Sequence, residues 1–171
     1  MLGLWKQLIS RLGRVVPPGQ APIDRILGLD NEVQMIITLS ERMTAKIQQR
    51  GYDSLTEAEK TFNAVYWLEA EINNGGFDQY FLNNAGDYAQ ETVTALQRIG
   101  AQHTSQILLA AMRLFPGGAP SQDHYKRQEQ LLSLGAQDQA AMQGLDQEFY
   151  AYTDPIGPLL IEYVRQHKDQ F

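Results

Sequence analysis

The feature that most constrains this chain is the spacing of its apolar residues. They recur at intervals of three and four along almost its whole length, interrupted by clusters of Gly, Pro and Asn. That spacing puts them on one face of a helix with 3.6 residues per turn, whereas a half-buried strand needs alternation at two. No alternating β-branched run occurs, so the expected fold is all-α, with seven or eight helices. With 171 residues, 43% of them hydrophobic, the chain can build one compact domain around its own core.

Leu2, Trp5, Leu8, Ile9, Leu12, Val15 and Val16 form one stripe, with Gln7, Ser10, Arg11 and Arg14 opposite. This pattern predicts an N-terminal amphipathic helix over 2–16. Pro17, Pro18, Gly19 and Pro22 end it and form a linker, dividing the chain into an appendage over 1–22 and a helical domain over 23–171. The stripe needs a cover, expected from the domain or a second subunit. Trp5 beside Lys6, Arg11 and Arg14 also suits a membrane surface, although one short cationic helix on an acidic protein is a weak anchor.

A second helix is read from about Asn31 to Arg50, burying Val33, Ile36, Ile37, Met43 and Ile47 and ending at Gly51. Thr56-Glu57-Ala58-Glu59 fits a capping box. Ala58, Phe62, Val65, Leu68 and Ile72 then line an inner face until Asn73-Asn74-Gly75-Gly76 breaks the helix. Phe77 to Asn83 reads as a short helix, and Asp87 with Gln90 as a second capping box before a helix that Gly100 ends. Ile107, Leu108, Ala111, Leu114 and Phe115 mark the next helix, stopped by Pro116-Gly117-Gly118. Ser121 is read as the cap of a helix whose Tyr125, Leu131, Leu132 and Leu134 face inward. Ala136 to Tyr150 is helical by composition, and Thr153 or Asp154 before Pro155 starts the last helix.

Charge narrows the function. Twenty Asp and Glu against fourteen Lys and Arg give a net charge of -6, which disfavours direct binding to a phosphate backbone. Residues 53–91 hold eight acids against Lys60 alone, and residues 128–164 hold six acids and no base. These stretches are either ordinary solvated helix faces or a negative surface for a basic protein partner. Glu57, Asp78, Asp87, Glu91, Asp138, Asp146 and Glu148 are the candidate contacts, because they fall at helix starts, corners or outer faces. The absence of cysteine excludes disulfides, thiolate nucleophiles and Cys-based zinc sites. It fits a reducing compartment, and the cytoplasm is the expected location. No stretch approaches the roughly 18 apolar residues of a membrane span.

Catalysis finds little footing. His103, His124 and His167 sit in separate elements without metal-ligand spacing, and Ser121, Asp123 and His124 lack an oriented third group or oxyanion hole. No enzyme activity, metal or cofactor is expected. The most unusual segment is the corner where Glu71, Asn73, Asn74, Gly75, Gly76, Phe77, Gln79, Tyr80, Phe81 and Asn83 crowd around the helix break. One reading makes it a pocket for a small ligand or substrate. The other makes it a structural unit whose amides satisfy two helix ends while the aromatic rings pack the corner.

The run E-I-N-N-G-G-F-D-Q-Y-F-L-N-N-A-G from Glu71 to Gly86 resembles the bacterial DNA-mimic protein family, once catalogued as a domain of unknown function. A-L-Q-R-I-G-A from Ala95, L-F-P-G-G-A-P from Leu114 and L-D-Q-E-F-Y from Leu145 follow in the family's order. The resemblance covers about residues 30–171. It implies an all-helical fold, no known catalytic activity and, for the family's namesake, an acidic dimer that occupies the DNA-binding surface of a transcription factor. An immunity protein that covers the basic cleft of a toxin would use the same chemistry, and stays open as an alternative.

Overall fold

The computed structural model describes residues 22–171; the helix expected over 2–16, and its division from the domain, lie outside the described residues. Side-chain caps and glycine stops set several element boundaries. The helices are α1 (Ile23–Leu27), α2 (Glu32–Arg50), α3 (Glu57–Leu82), α4 (Ala89–Ile99), α5 (Gln102–Arg113), α6 (His124–Leu132), α7 (Ala136–Tyr150) and α8 (Ile156–Gln166). Short 3₁₀ turns at Tyr52–Ser54, Asn84–Tyr88, Pro116–Gly118 and Lys168–Gln170 join or end them, and no strand occurs among the described residues.

The capping box at the start of α3 forms in both directions. The Glu59 amide donates to Thr56 Oγ1 at 3.1 Å, and the Thr56 amide donates to Glu59 Oε2 at 2.8 Å. The same buried carboxylate accepts Lys46 Nζ at 2.5 Å, which ties α2 to the box. Ala58, Phe62, Val65, Leu68 and Ile72 are all buried, as their spacing predicts. This long helix is the hub, packing against α2, α4, α6, α7 and α8. The domain has one continuous core.

The break expected in α3 is a kink rather than a separation. Gly75 and Gly76 leave helical geometry, Gly76 with φ +72°, and the chain turns helical again at Phe77. A Cβ on Gly76 would lie 2.5 Å from Asp146 Oδ2, so both backbone sign and space demand glycine there. Gly100, with φ +88°, ends α4 in the left-handed conformation.

Two helices present a different face to the core from the one their apolar pattern suggests. In α2 the buried row is Met35, Leu39 and Met43, while Val33 is 49% exposed and Ile36, Ile37 and Ile47 are half-buried. In α6, Tyr125 and Leu132 point outward, 76% and 81% exposed, and the inward position belongs to Arg127, which has no exposed surface. A helix settles in the phase that satisfies its buried polar groups, and Arg127 has five N–H donors to place. Three expected caps also differ. Asp123, not Ser121, caps α6 by accepting the Lys126 amide at 3.0 Å. The Asp87–Gln90 box does not form, since Asp87 turns to Arg127 and α4 starts without a side-chain cap. Asp154 serves α5 instead of α8, accepting the Thr104 amide at 2.7 Å and its hydroxyl at 3.0 Å.

Candidate functional site

The amide-rich corner is braced from three sides. Across the kink, Glu71 Oε2 accepts Gln79 Nε2 at 2.6 Å and Asn83 Nδ2 at 2.8 Å, so one carboxylate links both segments of α3. Asp146 on α7 accepts the Phe77 amide at 2.7 Å and caps the second segment from another helix. At its far end, Arg127 donates Nε to the Phe81 carbonyl at 2.7 Å and Nη2 to the Asn83 carbonyl at 3.0 Å, with Nη1 on the Ser121 carbonyl at 3.0 Å. Its Nη2 also pairs with the Asp87 carboxylate. Phe77, Tyr80 and Phe81 are buried, with the Tyr80 hydroxyl donating to Thr92 Oγ1 at 3.1 Å. Asn73 donates to the Tyr152 hydroxyl at 2.6 Å, and Asn74 is exposed. Tyr80 therefore faces the core, away from solvent. Ser121 Oγ accepts the Asp123 amide, and His124 lies beside Asp87, Arg127 and Gln128.

Next to this corner the surface opens into a groove of about 540 Å³, walled by Ile47, Tyr52, Trp67, Leu82, Ala85 and Tyr88, with Glu71, Asn83 and His124 among its polar groups. A second hollow, about 650 Å³, shares Tyr52, Ala64 and Tyr88 with it and adds Asp53, Glu57 and Glu91, with Lys60 and Arg98. The Tyr52 and Tyr88 rings stack between the two hollows, with centroids 4.5 Å apart. Burial, then Tyr88, Glu91, Glu57 and Asp53, push the Tyr52 hydroxyl up to about 12. Ionising it would add a negative charge to a field that is already negative.

The seven candidate carboxylates separate into different settings. Glu57 and Glu91 are exposed and share the second hollow; Glu57 pairs with Lys60 at 3.1 Å and approaches Arg98 at 3.8 Å. Asp78 is exposed near Asp146, whose carboxyl is raised first by burial, opposed by the Phe77 amide, and raised again by Asp78. Asp138 is half-exposed in the first turn of α7, and Glu148 is exposed with His103 Nε2 at 3.3 Å. Asp87 and Asp146 are occupied by Arg127 and Phe77. Sequence reasoning missed Arg127, Tyr52, Tyr88 and Trp67. Trp67 alone carried a signal, because it lies off the buried stripe of α3.

No group of three or more His, Asp or Glu positioned to hold a metal ion occurs among the described residues, and none of their helices is long and apolar enough to cross a membrane. The fold and this surface define an all-helical protein with an aromatic-walled groove beside a hollow that holds Asp53, Glu57 and Glu91. The family described as "DMP19-like protein" matches residues 53–167, more than half of the chain, and the chain belongs to that family of DNA mimics. No curated protein and no solved structure gives a significant match.

Proposed function

We propose that this protein is a non-catalytic binding module whose carboxylates occupy the nucleic-acid-binding surface of a basic, DNA-binding protein. Family membership over residues 53–167 carries this reading. It is supported by the grouping of Asp53, Glu57 and Glu91 around the Tyr52–Tyr88 stack. Of the candidate contacts, Glu57 and Glu91 are the centre, joined by Asp53, while Asp78, Asp138 and Glu148 are outlying contacts. Asp87 and Asp146 belong to the fold. Exposed ion pairs contribute only about 0–1 kcal/mol each, so several must act together around an apolar centre. Tyr52, Tyr88 and Trp67 offer that centre. The negative field speeds encounter with a cationic partner and weakens with salt.

The test is capture of partners from the protein's native cells at low and high salt, followed by competition with duplex DNA. Salt-sensitive capture of a DNA-binding protein, displaced by its own DNA, supports the reading. Capture that DNA does not displace overturns it, and a captured toxin would make immunity the function.

A further inference from the structure

The groove walled by Trp67, Tyr52, Tyr88 and Leu82 leaves large apolar side chains in solvent, Trp67 at 38% and Leu82 at 44% exposure. Apolar surface of this kind, edged by charge, marks a docking site. Glu71 lines the groove, and the adjoining hollow beyond the Tyr52–Tyr88 stack carries Asp53, Glu57 and Glu91 against Lys60 and Arg98, which calls for an occupant with an apolar face and a cationic flank.

Such a segment exists in the chain itself. All twenty acids lie beyond residue 21, with eleven of the fourteen Lys and Arg, whereas residues 1–21 carry Lys6, Arg11, Arg14 and no acid. The stripe from Leu2 to Val16 supplies the apolar face. The described chain also starts on the side of the domain from which the groove is approached. Asp24, near the start of the described chain, pairs with Lys168 at 3.0 Å, and two residues later the Gln170 carbonyl accepts the Thr56 hydroxyl at 2.9 Å. A row of rings continues from there: Phe171 edge-on to Phe62, Phe62 beside Tyr66, and Tyr66 edge-on to Trp67 in the groove. Residues 17–21, fully extended, add about 17 Å of span.

We propose that the groove is the docking surface for residues 2–16 of the same chain. The Trp5, Leu8 and Leu12 side of that segment lies against Trp67, Tyr52 and Leu82, and Arg11 and Arg14 face the Glu57 and Glu91 side. Docking would cover the Tyr52, Tyr88 and Trp67 surface and the Glu57 and Glu91 acids given above to a partner, so the segment must leave before that partner binds; the test below uses the protein alone, and its failure leaves the DNA-mimic reading standing.

The two tryptophans and the lack of cysteine make the test clean. In full-length Trp5→Phe protein, Trp67 gives the one indole N–H signal, and Ser10→Cys supplies a single attachment point for a nitroxide. Docking predicts strong paramagnetic broadening of the Trp67 indole signal, lost when Leu8→Asp disrupts the stripe. The Leu8→Asp change should also raise acrylamide quenching of Trp67. A Trp67 signal that the nitroxide does not broaden overturns the proposal. So does broadening seen only when labelled and isotope-enriched copies are mixed, which would assign the groove to a second copy.

Discussion

The carboxylates around the α3 kink and those around the Tyr52–Tyr88 stack are the same chemical group in opposite employment. Near the kink, Glu71 accepts the Gln79 and Asn83 side-chain amides, Asp87 pairs with the buried Arg127 guanidinium, and Asp146 accepts the Phe77 backbone amide. Around the stack, Asp53, Glu57 and Glu91 stay at the surface, where they add to the effect of burial and of Tyr88 in raising the Tyr52 hydroxyl. Acidic composition alone therefore overstates the surface available to a partner. What separates the two sets is whether a backbone amide, a side-chain amide or a buried guanidinium of the kink comes within reach.

The kink set is best broken at Arg127. Arg127→Met leaves the Phe81, Asn83 and Ser121 carbonyls and the Asp87 carboxylate without their donor, and should cost about 3–5 kcal/mol. Urea denaturation measures it, and Arg127→Lys should recover little, because one ammonium cannot reproduce the fork. Gly76→Ala comes next, at about 1–3 kcal/mol from the backbone conformation, with the Asp146 contact adding to it. Asp146→Ala alone should cost about 1 kcal/mol as a lost cap. Because the new methyl would meet the Asp146 carboxylate, the Gly76→Ala and Asp146→Ala losses should sum to more than the double variant loses; strict additivity would contradict the contact.

A smaller effect concerns pH. Burial raises the Glu69 carboxyl, with the Tyr152 hydroxyl opposing. A raised carboxyl means that the native state binds the proton more tightly than the unfolded chain. Its stabilising contribution is complete below the unfolded value, about 4.3, and is lost as pH rises through the folded one. Wild type should therefore lose stability relative to Glu69→Gln between pH 4 and pH 7, read from urea midpoints at both ends. The opposite slope would contradict the burial account. Smallest of all, Glu57→Gln and Glu91→Gln should change stability by less than about 0.5 kcal/mol. A larger loss would move them into the structural set.

Local signals were legible in the sequence and distant partners were not. The Thr56–Glu59 box, the Gly75–Gly76 break, the Gly100 stop and the limits of α7 rest on residues within a turn or two of one another. Asp146, Asp154 and Asp87 act on groups 69, 50 and 40 residues away, so each looked like a cap or surface acid for its own helix. The phase of α6 went wrong because Tyr125 and Leu132 look like core and Arg127 like surface. At the candidate site, Glu57 and Glu91 were legible as outward acids. The ring stack between them was not, since Tyr52 and Tyr88 meet only when two separate 3₁₀ turns are brought together.

The central claim is that the acids around Tyr52 and Tyr88 bind and those around the kink hold the fold. One measurement addresses it directly: the affinity of a captured DNA-binding partner for wild type and for the Glu57→Lys, Glu91→Lys double variant, with urea midpoints recorded on the same samples. The expected result is loss of most binding at low salt with the midpoint nearly unchanged. Full binding by the double variant, or loss of binding only in step with loss of the folded state, would contradict the claim.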